Sequence, residues 1–129
     1  MNYIPTNTAE LYDRLKLHGG LCGELSLKES QIFWQLTPGC LLTAFLEGER
    51  AYVELHFGPG RARRYAWRPD PEDILAVLAA LGRSGNALVL RSNLFTGKDE
   101  LLYSGPKENC PYPLRRKWQW GRLYGFELK

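Results

Sequence analysis

The chain has 129 residues, 44% hydrophobic and 24% charged, with a formal net charge of +3. A chain of this length buries roughly two-thirds of the surface it exposes when unfolded, so one domain over residues 1–129 is expected, with no disulfide or metal staple and no global disorder. Three widely spaced cysteines, Cys22, Cys40 and Cys110, argue against a secreted disulfide scaffold; no leader and no apolar run near ~20 residues is visible, so the expectation is a cytoplasmic protein away from membranes.

A first helix is predicted over residues 8–18. Asn7 suits the N-cap and Glu10 the capping-box position three residues on. Gly19-Gly20 ends it. Strand patterns follow. Residues 21–27 form a plausible first strand, and residues 31–36 alternate, with Ile32, Trp34 and Leu36 on one side. Thr37-Pro38-Gly39 and Glu47-Gly48-Glu49 read as turns around a strand at 40–47. Ala51, Val53, Leu55 and Phe57 then share one face, with Tyr52, Glu54 and His56 opposite. Gly58-Pro59-Gly60 breaks that strand, and 61–68 reads as its hairpin partner.

A second helix is predicted over about 71–81, capped by Asp70 with Pro71 at its first position. Residues 74–81 carry no polar side chain, which predicts burial against the sheet on more than one side. Residues 87–90 look like a central strand, with 100–104 as a partner. Residues 105–113 read as a loop. Residues 114–129 read as a hairpin or as one long strand bulged at Gly121 or Gly125. Strands run together rather than alternating with helices, so the fold class is α+β: an antiparallel meander of roughly six to eight strands with two helices.

No family signature is present. Gly58-Pro59-Gly60 lacks the phosphate-loop and dinucleotide patterns, and the glycine-aromatic signature of RNA-recognition sheets is missing. Three scattered cysteines and two histidines, His18 and His56, lack zinc-ligand spacing, so neither metal nor cofactor is expected. Glu47/Glu49 and Glu72/Asp73 are explained by a turn and a helix start.

One pattern rises above this background. Two strand-like segments interleave arginine with aromatics. In the first, Arg61, Arg63, Tyr65 and Trp67 share a face, with Arg64 and Arg68 opposite. In the second, Arg116, Trp118, Trp120, Arg122 and Tyr124 share a face unless Gly121 is a bulge. Guanidinium forks bind phosphates or carboxylates and indole rings stack on bases, while Trp, Tyr and Arg are also enriched at protein interfaces. The same residues also serve as strand packing and edge protection. The leading expectation is a non-enzymatic binding module. It would engage an anionic partner, nucleic acid or acidic protein, through Arg61, Arg63, Arg64, Tyr65, Trp67, Arg116, Trp118, Trp120 and Arg122. The alternatives are a protein-directed inhibitor or immunity-type protein, and a small enzyme using Cys22, His18, His56 or Glu24.

Overall fold

The computed structural model describes residues 4–93, 95–112, 114 and 121–129. Helix α1 spans Thr8–Lys16. The Asn7 side chain accepts a 2.8 Å hydrogen bond from the Glu10 amide, satisfying one donor that the first turn leaves orphaned. The Glu10 carboxylate reaches back past Asn7 to the Thr6 amide and hydroxyl. Thr8, Leu11 and Leu15 form the buried stripe.

Five strands follow: β1 (Glu24–Lys28), β2 (Gln31–Thr37), β3 (Cys40–Glu47), β4 (Arg50–Phe57) and β5 (Arg63–Trp67). They form one antiparallel meander in the order β1-β2-β3-β4-β5. Two-residue turns set the register. Glu29 and Ser30 both take positive φ, 49° and 62°, the twist-matched hairpin geometry. Alternation then sorts the side chains. Ile32, Trp34 and Leu36 of β2 face inward with Ala51, Val53, Leu55 and Phe57 of β4.

Helix α2 spans Ile74–Leu81, three residues shorter at its start than the predicted 71–81. The Asp73 amide instead donates to the Asp70 carbonyl at 2.9 Å, closing a turn with Pro71 at its second position, and the Val77 amide donates to Asp73. Ile74, Leu78, Ala79 and Leu81 are buried, whereas Ala76 and Ala80 are exposed. Burial is therefore one-sided, because small alanines occupy the outer stripe at little cost.

Three strands make a second sheet: β6 (Asn86–Asn93), β7 (Asp99–Pro106) and β8 (Gly121–Glu127), in the order β7-β6-β8. The eight strands are thus split five and three, and β8 returns past β7 to pair with β6. Gly105 and Pro106, expected in a loop, end β7. Gly125 sits in regular register opposite Val89. A Cβ there would lie 2.7 Å from the Leu114 α-carbon, so the close approach of another backbone accounts for this glycine, rather than a bulge.

One hydrophobic core joins these parts. Leu11 and Leu15 of α1, Leu78 and Leu81 of α2, and Leu88, Leu90 and Tyr124 of the small sheet all pack with the inner face of the large sheet. Trp34 is central, fully buried, and its Nε1 donates to the Cys22 carbonyl at 2.8 Å. Among the described residues, no helix is long and apolar enough to cross a membrane.

Candidate functional site

Because both helices and the small sheet join the core on one face of the meander, its opposite face is left uncovered by the described residues. Strand register arranges that face as a grid. One row runs Phe45, Tyr52 and then Arg68, just past β5. The next runs Ser26, Phe33, Thr43, Glu54 and Ala66. A third runs Glu24, Gln35, Leu41, His56 and Arg64. Phe33, Leu41, Phe45 and Tyr52 are all partly exposed.

The aromatic row is tightly organised. Phe45 and Tyr52 stack, with centroids 4.7 Å apart and planes 11° from parallel. The Arg68 guanidinium carbon lies 5.0 Å from the centre of the Tyr52 ring, within cation–π range. Beside this row is a shallow hollow of about 330 Å3, bordered by Phe33, Leu41, Thr43, Glu54, His56 and Arg61. Arg61 comes from the short 3-10 turn Pro59–Arg61 and reaches over the face to Gln35 Oε1 at 3.4 Å. Arg64 lies 3.7 Å from Glu54 and is largely exposed.

His56 is the titratable group at the centre. Its Nε2 meets Thr43 Oγ1 at 3.1 Å and Glu54 Oε2 at 3.4 Å. Both contacts use the same nitrogen, so the trio is not a nucleophile relay, which needs one partner on each ring nitrogen. Burial lowers the His56 pKa; nearby Glu54 opposes the shift, and Arg64 and Arg61 add to it.

The predicted Arg-aromatic surface is divided by the fold. Arg61 and Arg64 belong to the open face. Tyr65 and Trp67 turn the other way, opposite Leu55 and Val53, and pack against the core. Arg63, on that inner side, stays exposed at the rim, where its guanidinium lies 3.7 Å from Asp99. Arg122 occupies the same row of the small sheet as Ser92 and Asp99, and lies 5.6 Å from the Tyr124 ring centre. Arg63 and Tyr124 both border Gly58, so the two segments approach each other at the seam between the sheets. Arg116, Trp118 and Trp120 lie outside the described residues.

Phe45 and Tyr52 are absent from the expected site; alternation in 51–57 turns Tyr52 outward, whereas the nearly unbroken apolar run of residues 40–46 gives Phe45 no such mark. The stacking of Phe45 on Tyr52, and the placement of Arg68 over Tyr52, leave no mark in the sequence.

The residues named for an enzyme do not all gather at one place: His18 and Cys22 border a common hollow of about 310 Å3 beyond α1, whereas Glu24 and His56 do not line it. Cys22 is buried, and burial pushes its thiol up to about 11, away from the reactive thiolate. His18 is exposed beyond α1, while Glu24 and His56 stand on the open face. The Asp70, Glu72 and Asp73 carboxylates gather in the exposed turn before α2. A larger cleft of about 930 Å3 runs between Thr37-Pro38 and β8. Of the ionisable groups lining it, Glu127 is already engaged by Lys107.

In comparisons with known proteins, no family model, no curated protein and no solved structure matches this sequence.

Proposed function

We propose that the protein is a non-enzymatic binding module that engages an anionic partner through the open face of its five-stranded sheet, with an acidic protein segment as the better-supported partner. The observation that carries this reading is the Phe45–Tyr52–Arg68 row, continuous with the hollow edged by His56 and Arg61, with Arg64 beside the hollow's Glu54. Aromatic anchors beside arginines are the usual composition of protein interface hot spots. The alternative anionic partner, a nucleic acid, calls for ring faces free to stack on bases. Here Phe45 and Tyr52 each turn one face to the other, Arg68 lies over Tyr52, and Tyr65 and Trp67 pack inward, which leaves little ring surface for bases.

The site is therefore assigned to Arg61, Arg64 and Arg68 with Phe33, Phe45, Tyr52 and His56. Arg63 contributes positive charge at the rim, and Arg122 adds charge from the small sheet. The test uses the full chain and a variant carrying Arg61→Glu, Arg64→Glu and Arg68→Glu. Each is immobilised in nuclease-treated lysate, and each is titrated with labelled oligonucleotides at two salt concentrations. A protein retained by the wild type, lost by the variant and weakened by salt supports the reading. Tight, steeply salt-dependent oligonucleotide binding transfers the site to nucleic acid. Equal retention by both chains refutes the assignment.

A further inference from the structure

The two edges of the five-stranded sheet are finished differently. At the β5 edge the Asp99 carboxylate accepts the outward Arg64 amide at 3.3 Å, and Pro69 follows the strand. That edge is blocked against further strand pairing. At the β1 edge nothing among the described residues does the same.

The β1–β2 hairpin shows which groups are left open. Its two-residue turn makes Lys28 and Gln31 the last pair of the ladder. In such a hairpin the closing pair is hydrogen-bonded, and the pattern alternates from there. Ser26 and Glu24 therefore also spend their backbone groups on β2. The amides and carbonyls of Leu25 and Leu27 point to the free edge. Among the described residues, no hydrogen bond outside the helices and strands reaches them.

Side chains around this edge are self-complementary. The strand reads Glu24-Leu25-Ser26-Leu27-Lys28. Set antiparallel against a second copy about an axis through Ser26, Glu24 falls opposite Lys28 at both ends, and Leu25 falls opposite Leu27. In that register Leu25 and Leu27 are the hydrogen-bonded pairs, as their outward backbone groups require. Glu24–Lys28 are non-hydrogen-bonded pairs, where side chains stand closest. A shift of two residues either way keeps the ladder but loses the opposite-charge pairs.

We infer that β1 is a homodimerisation edge: two copies pair β1 to β1 antiparallel about Ser26, joining their meanders into one continuous ten-stranded sheet. An axis perpendicular to the sheet keeps the two open faces on the same side. The inference does not depend on what those faces bind.

The experiment is sedimentation equilibrium on the full chain from micromolar to millimolar concentration, where a short-strand interface is expected to dissociate. The wild type should show a monomer–dimer equilibrium. Glu24→Lys and Lys28→Glu should each weaken it by about tenfold, because each places like charges opposite one another twice per dimer. The double reversal, Glu24→Lys with Lys28→Glu, should restore it. Leu27→Pro should abolish it while leaving the β1–β2 ladder intact, since the lost amide faces the free edge; far-UV circular dichroism checks that this variant folds. A wild type that stays monomeric throughout overturns the inference. So does a dimer indifferent to the single reversals, or one that the double reversal fails to restore.

Discussion

Gly82 offers the sharpest test of how the core is packed. A Cβ on Gly82 would lie 2.0 Å from Cη2 and 2.2 Å from Cζ2 of Trp34. Carbon atoms in contact prefer about 3.5–4.0 Å, so the added methyl overlaps the indole by roughly 1.5 Å. Neither partner moves freely. Trp34 is fully buried and tied to the Cys22 carbonyl, while Gly82 donates to Leu78 at 3.0 Å and accepts from Cys22 at 2.9 Å. The Gly82 φ of -93° is open to any residue, so the penalty is steric rather than conformational. Overpacking a filled core costs about 1–3 kcal/mol, and this overlap belongs at the upper end. Stiffening the unfolded chain returns about 0.4–1 kcal/mol. Gly82→Ala should therefore destabilise by about 2 kcal/mol, measured by urea unfolding followed by far-UV circular dichroism. Gly19→Ala, where a Cβ meets nothing within 4 Å, is the control. In a Trp34→Phe background, which removes the outer indole atoms, the Gly82→Ala cost should shrink by about 0.5–2 kcal/mol. A Gly82→Ala protein within about 0.5 kcal/mol of wild type would refute this account of the contact.

Other outcomes follow from burial and charge. Leu78→Asp, on the buried stripe of α2, should lower stability by about 4 kcal/mol or prevent folding, whereas Val77→Asp, on a partly exposed position, should be clearly milder in the same urea assay. His56 is held below the ordinary imidazole value of 6.5, so the folded protein takes up its proton later than the unfolded chain does. Its contribution to stability is full above pH 6.5 and is lost as pH falls from there to the lower folded value. His56→Gln should flatten that part of the stability–pH curve. Glu100 and Glu127 sit below the usual carboxylate range through Arg91 and Lys107, and their contributions are lost only in a separate, more acidic window.

Local chemistry writes much of this fold into the sequence. Asn7 and Glu10 announce α1, Pro38-Gly39 and Gly48 place turns, and strict alternation in 31–36 and 51–57 assigns the inner side chains, because capping, turn dihedrals and strand period act between near neighbours. The start of α2 differs from the sequence expectation for a related reason: Pro71 suits the second position of a turn as well as a helix start, and Asp70–Asp73 close a turn there. The partition into two sheets, and the return of β8 to β6, depend on pairings between residues far apart in sequence, which leave no local mark. Alternation in 61–68 grouped Arg63 with Tyr65 and Trp67, but the side they face was set by β5 pairing with β4, whose Val53 and Leu55 already looked inward. The open face is likewise a product of register. Phe45, Tyr52 and Arg68 come from separate parts of the chain and become one row only when three strands align, so the residues were visible in the sequence while the surface they form belongs to the tertiary structure.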